Sequence, residues 1–273
     1  SVNWYYDFSD IWHTSYTYTA QSRARDVTTT GANQGAASGI VTFYIDKSNP
    51  GSAITFPTTL PQKTVASITG TAWDNRKMYL ADPLHASRVR IYKAVGDAYW
   101  NAVTVQWDSS PADPNLYWST AAFAYSPNQS SGTFTFNAAA FPWSSGYTYR
   151  LESRSRDSVS NYDSVYSTVA FKFDNTNPES TVVSPSSGVH LTALSTTSIN
   201  GSFTDPSAGA GVTEVRLYVQ DLTRGTTYWN GVGWTNLDAD KWLIKNLVAS
   251  DWKWNTVYEP PQWTDGHRYR FVA

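Results

Sequence analysis

The chain has 273 residues, a formal net charge of −2 and no cysteine, with 41% hydrophobic but only 15% charged residues. Its length holds two domains' worth of chain at roughly 100–150 residues each. The missing cysteines exclude a disulfide framework, the near-neutral charge without a basic stripe argues against a nucleic-acid binder, and no apolar run approaches the ~18 residues of a membrane span.

Three strands are expected near the start, over residues 2–8, 16–26 and 39–46. Lys47, Ser48, Asn49 and Pro50 follow as a turn or linker. The ending around Asp46, Asn49 and Pro50 recurs at Asp174, Asn177 and Pro178, each pair 128 residues apart. The unit between the two endings carries about seven strand candidates with turn signals every 8–12 residues, the cues of an immunoglobulin-like sandwich. Between Tyr99 and Phe134 the crossing is long enough for an extra hairpin or wide loop. Beyond Pro178 the same landmarks return in order: Ile199, Gly201 and Asp205 answer Ile68, Gly70 and Asp74, and residues 214–218 answer residues 88–92. No stretch holds a 3.6-residue apolar period. Residues 240–254 come nearest, but their Trp and β-branched content favours strands.

Residues 146–157 are the most regular stretch. Tyr149, Leu151, Ser153 and Ser155 face one way; Arg150, Glu152, Arg154 and Arg156 face the other. Copies of this strand start near Tyr16 and Gly266. Each has a Trp six residues before its second aromatic: Trp12 and Tyr18, Trp143 and Tyr149, Trp263 and Tyr269. The chain is therefore read as an array: residues 1–50 as the end of one domain, 51–178 as a complete domain and 179–273 as the start of a third. It begins without Met and stops within a strand pattern, as a window in a longer chain would. Unpaired strand edges are then expected to be met by further repeats or by an adjacent chain.

Three motifs carry a resemblance. They are Ile-x-Gly-x-Ala-x-Asp (Ile68 to Asp74), Gly-Tyr-x-Tyr followed by Arg-x-Arg-Asp (Gly146 to Asp157), and Phe-x-x-Asp-x-x-x-Pro (Phe43 to Pro50, Phe171 to Pro178). In that order the chain resembles tandem bacterial immunoglobulin-like repeats of large secreted or surface-anchored proteins. The resemblance implies an all-β fold of tandem immunoglobulin-like β-sandwich domains and a location outside the cell or on the bacterial surface. It also implies a structural role as stalk, adhesin shaft or filament subunit. It departs from the pattern in the loops after Arg-x-Arg-Asp, which are longer or lack glycine.

Catalytic chemistry finds little support. The four His residues, at 13, 85, 190 and 267, do not recur at matching repeat positions and read as solvated loop residues. Gly209, Ala210 and Gly211 form an isolated turn with no following Lys, so no phosphate loop is expected. A catalytic carboxylate pair is normally present once, whereas these acids repeat. The sequons at Asn128 and Asn200 matter only in a glycosylating host. The arginine stripe on the outward face reads as a solvated strand face opposed by Asp or Glu. The surplus aromatics allow two readings. Trp107, Trp118, Trp234 and Trp242 could stack on surface glycans, making the chain a carbohydrate-binding array, or could cover the core and long loops.

Calcium is the one cofactor the pattern suggests. In such a sandwich the linker meets the pole of the next domain that carries the loops after its second and sixth strands. Asp46 and Asn49 on the first linker would then converge with Asp74 and Asp157, and Asp174, Asn177 and Asp205 would repeat the set. Calcium takes six to eight oxygens from flexible loops. The competing reading makes these residues turn and capping groups beside Pro50 and Pro178.

Overall fold

The computed structural model describes Tyr5 and residues 11–14, 16–26, 31, 33–74, 86–125, 129–192, 194, 199–206, 209–236 and 242–273. Apart from Tyr5, the strand expected over residues 2–8 lies outside the described residues, as do His85 and Asn128. Two compact units emerge. The first holds the chain up to Leu60, Val65–Pro142 and Thr148–Phe171; the second holds Pro61–Thr64, Trp143–Tyr147 and Lys172–Ala273.

The first unit opens with an antiparallel pair, β1 (Thr17–Ala20) and β2 (Val41–Tyr44), with Tyr18 opposite Phe43. Nine strands follow: β3 (Gly51–Phe56), β4 (Ser67–Trp73), β5 (Ala86–Lys93), β6 (Ala98–Asn101), β7 (Gln106–Ser109), β8 (Ser119–Tyr125), β9 (Ser131–Asn137), β10 (Thr148–Arg156) and β11 (Ser167–Lys172). Hydrogen bonding runs β11-β10-β5-β8-β9-β4-β3, with the β6–β7 hairpin extending β5. β8 changes partners midway. Ser119, Thr120 and Ala121 pair with β5, and Ala122 to Tyr125 pair with β9. One strand thus joins the two faces of a Greek-key sandwich, and the hairpin fills the long crossing expected after Tyr99.

In the second unit, β12 (Glu179–Ser184), β13 (Asn200–Thr204), β18 (Asn246–Val248) and β19 (Asp251–Lys253) form one sheet in the order β12-β13-β19-β18. Against it stands a sheet of β14 (Arg216–Asp221), β15 (Thr227–Trp229), β16 (Trp234–Thr235), β17 (Leu243–Ile244) and β20 (Tyr269–Val272), with β14 at its centre. The aromatic and branched residues at the end of the 240–254 stretch do form strands, β17 to β19.

Alternation explains these elements. Along β10, Tyr149, Leu151, Ser153 and Ser155 are buried. On β4, Ile68, Gly70 and Ala72 turn inward. Gly70 matters because a Cβ there would strike the Phe134 ring and the Ala53 carbonyl. Gly201 plays the same part beneath Trp252, and both Phe134 and Trp252 are fully buried. The Ile-x-Gly motif is therefore a seat for one large ring from the next strand of the sheet.

The six-residue Trp–Tyr spacing also has a physical cause. The Tyr18 hydroxyl accepts the His13 N–H at 2.8 Å, and the Tyr269 hydroxyl accepts the Thr264 N–H at 2.8 Å. These are tyrosine corners, a hallmark of immunoglobulin-like sandwiches. Trp12 and Trp263 pack edge-on against those tyrosines, with ring centroids 4.7 and 4.8 Å apart.

The structure matches β14 to β5 two residues away from the landmarks 88–92 and 214–218. Lys93 pairs with Tyr149 and Asp221 with Tyr269; Tyr92 pairs with Tyr99 and Gln220 with Tyr228. Arg88 therefore corresponds to Arg216, not to Glu214. A slip of two residues keeps every side chain on its own face, so hydrophobic alternation could not detect it.

Candidate functional site

At the head of the first sandwich, the carboxylates of Asp46, Asp74 and Asp157 each place an oxygen within 4.8 Å of the others. Asp46 follows β2 on the linker. Asp74 ends β4, where its N–H bonds the Ser130 carbonyl at 2.8 Å. Asp157 ends β10 and is 1% exposed. Its Oδ1 accepts the N–H groups of Val159 (3.0 Å) and Asn161 (2.7 Å), and its Oδ2 accepts the Asn161 side-chain amide (2.7 Å). That amide also bonds the Asp46 carbonyl at 3.2 Å. Asp46 Oδ1 takes the Ser48 N–H and the Thr14 hydroxyl.

Asn161, Thr14 and Ser48 were not singled out from sequence. A signal for Asn161 existed, an Asn four residues beyond Asp157. Asp26 and Asn33 make the same two-pronged contact in the preceding copy, at 2.6 and 3.1 Å.

Two ligand oxygens on one calcium, each at 2.3–2.6 Å, can be at most about 5.2 Å apart. No pair of the three carboxylates is therefore too far apart to share one ion. The donor set also fits a hard cation: these are oxygens only, and Asp46 Oδ2 and one lone pair of Asp157 Oδ2 are left over from the hydrogen bonds above. Asn49 is exposed, and no hydrogen bond ties it to the carboxylates.

Asp174 and Asp205 form the corresponding pair in the second unit, but amides meet them. Asp174 Oδ2 accepts the Ala210 N–H at 2.6 Å, while Oδ1 takes the Thr176 and Ser145 hydroxyls, both at 2.8 Å. Those bonds, the Ala210 amide first, hold its carboxyl well below the usual carboxylate range. Asp205 Oδ2 accepts the Gly211 N–H. A Cβ on Gly209 would meet both carboxylates, so the Gly-Ala-Gly turn wraps them closely. Asn177 is exposed and joins neither.

The four tryptophans are placed differently from one another. Trp107 packs against Trp100 (5.5 Å), Phe141 (5.5 Å) and Tyr149 (5.9 Å), under the Lys93 ammonium. Trp234 packs against Trp229 at the same 5.5 Å and stacks on Tyr269. The guanidinium carbons of Arg90 and Arg154 lie 4.6 and 4.5 Å from the Trp118 ring centroid. Trp242 is 39% exposed and touches Tyr218 edge-on.

Two further expectations change. His267 is no solvated loop residue: its Nδ1 lies 2.8 Å from Oδ2 of the fully buried Asp221. The arginine stripe is only partly opposed by acid. Glu152 serves Arg90 and Arg150, whereas Arg154 lies across the sheet from Arg88.

No protein family and no curated protein matches the chain. Among solved structures, the FN1-FN3 domains of chicken CNTN1 align at 12% identity over 93% of this chain and 68% of that one, with a TM-score of 0.25. So low a score carries no argument; the sandwich assignment rests on strand order, the β8 crossover and the tyrosine corners.

Proposed function

We propose that the chain is a non-enzymatic structural segment of a very large extracellular protein of the bacterial surface: a stalk, adhesin shaft or filament subunit. Immunoglobulin-like sandwiches in series make length cheaply, because each touches only its neighbours. In this reading residues 1–50 close one domain, 51–178 make the next and 179–273 begin a third, with neighbouring repeats or adjacent chains as partners. Calcium binds Asp46, Asp74 and Asp157 and ties the linker to the domain that follows it. The observation supporting this is the meeting of a linker carboxylate with two strand-end carboxylates within 4.8 Å. Three carboxylates that close repel one another unless a cation or protons intervene, so a bound divalent ion converts a strained junction into a stiff one.

The test is the melting temperature of the 273-residue chain in millimolar calcium and in chelator, paired with a direct count of retained calcium. A rise in calcium, absent in Asp157→Asn, is expected. No rise and no retained ion would defeat the calcium assignment. The carbohydrate-binding alternative predicts saturable polysaccharide binding that is lost in Trp242→Ala, the most exposed of the four rings.

A further inference from the structure

The outer face of the β10–β5 sheet carries an unusual concentration of positive charge. β5 presents Arg88 and Arg90, and β10 presents Arg150, Arg154 and Arg156 around the single acid Glu152. Glu152 is consumed. Arg90 Nε donates to its Oε2 at 2.6 Å, and Arg150 Nε lies 3.2 Å from its Oε1. Arg90 also donates to the Pro114 carbonyl at 2.9 Å.

Arg88 and Arg154 are left facing each other. They are register partners on adjacent antiparallel strands, a position where like charges destabilise a sheet and an acid is the usual occupant. Among the described residues no carboxylate comes within ion-pair distance of either. Asp163, an acid on which the Arg154 charge acts, spends its oxygens on the Ser155 N–H (2.9 Å) and the Ser52 hydroxyl (2.6 Å). Arg88 Nε, Arg154 Nε and the adjoining Trp118 Nε1 are buried without an acceptor. A buried donor without an acceptor loses the hydrogen bond that water gave it in the unfolded chain, and folded proteins rarely tolerate several together. The second unit shows that the fold can avoid this. Arg216, at the position of Arg88, pairs with Glu214 two residues earlier on its own chain; two residues before Arg88 stands Ala86.

We infer that Arg88 and Arg154, walled by Trp118, Tyr162 and Tyr166, form a binding site for an oxyanion of the sulfate or phosphate kind. Arg154 lies 4.8 Å from the Tyr162 ring centroid and 4.5 Å from that of Trp118, so two aromatic rings contact its guanidinium and restrict its movement. Paired guanidinium groups offer the fork of N–H donors that suits such an anion. An anion there replaces repulsion between the arginines with two attractions and supplies acceptors to donors that have none. The group could be a free ion or an ester on a polysaccharide. The chemistry is the same, and the surroundings decide which is tighter.

The test follows the indole and guanidinium N–H resonances of the full chain during titration with sodium sulfate at fixed ionic strength, with chloride as the counter-titrant. Trp118 is assigned by its loss in Trp118→Phe. Saturable shifts at Trp118 and at the two arginine Nε–H groups are expected with sulfate and not with chloride. Arg88→Gln and Arg154→Gln, each confirmed folded by its melting curve, should weaken binding at least tenfold. Relief of repulsion should leave Arg88→Gln at least as stable as the parent without sulfate. Sulfated dextran binding tenfold or more tighter than free sulfate would identify an ester on a polymer as the ligand; equal binding per sulfate would identify the free ion. Shifts that do not saturate, that chloride reproduces, or that persist unchanged in Arg88→Gln would overturn the proposal.

Discussion

The two sandwiches solve one problem in opposite ways. Asp46, Asp74 and Asp157 in the first unit correspond to Asp174 and Asp205 in the second, with the same landmarks around them. In the first, a third carboxylate closes the group; Asp157 takes amides from Asn161 and Val159, and Asp46 takes the Ser48 N–H and the Thr14 hydroxyl. In the second, the Ala210 and Gly211 amides reach Asp174 and Asp205, and the buried Asp205 Oδ1 keeps no hydrogen-bond partner. Amides offset part of the charge in both units, but three carboxylates at this spacing hold more negative charge together than two. Matching acids in repeated domains can therefore close into a three-carboxylate group in one copy and be wrapped by a glycine turn in the next.

A second contrast lies in the cores. Ser119 pairs with Val89 and Leu243 with Leu217, so Lys245 occupies the position of Ala121. It is 3% exposed, with Nζ 3.8 Å from the Trp254 ring centroid and without a hydrogen-bond partner. Burial pushes its ammonium down to about 7, from 10.5. Because the folded value lies below the unfolded one, the unfolded chain holds more protons between pH 7 and 10.5. Stability of the second unit should thus rise with pH across that window, and the full penalty should stand below pH 7. The penalty is about 4–5 kcal/mol at 1.36 kcal/mol per pH unit. Lys245→Met should remove most of it. Melting at pH 6 and pH 9 should show a higher, nearly pH-independent transition for the variant. An unchanged pH dependence would mean that the amine is solvated.

The next effect sharpens the symmetry instead of breaking it. Phe134→Ala and Trp252→Ala empty the same site above Gly70 and Gly201, and each should cost about 3–5 kcal/mol. Hydrogen exchange should report the loss in the mutated unit. Smaller is the calcium effect. At a hundredfold excess over the dissociation constant a bound ion stabilises by about 2.7 kcal/mol. Asp157→Asn should abolish that gain, and Asp205→Asn should leave it intact. If both variants abolish it, the two acid groups are not different in kind. Smallest is the pair of matched tryptophans. Trp118→Ala should cost about 1–2 kcal/mol through the lost cation–π contacts with Arg90 and Arg154, whereas Trp242→Ala should change stability by about 0.5 kcal/mol or less. Urea melts of the two variants would measure that difference.

The repeat period, the all-β class and the inward faces were legible in the chain, because alternation, turn residues and Trp–Tyr spacing are local and recur. The pattern at Ile68, Gly70 and Ala72 states which side of β4 is buried before any neighbour is known. The convergence of Asp46, Asp74 and Asp157 was also readable once a sandwich was assumed, since all three stand at ends of strands or linkers. Tertiary structure decided the rest. Asn161 and the 209–211 turn act through loop conformation, which no periodicity encodes. The match of β14 to β5 moves by two residues under an unchanged pattern, since side-chain alternation has a period of two. Whether Arg154 would meet an acid or Arg88 across the sheet depended on that kind of pairing, and so did the burial of Lys245. Sequence sets what each residue prefers, and only the folded sheet determines which preferences are left unmet.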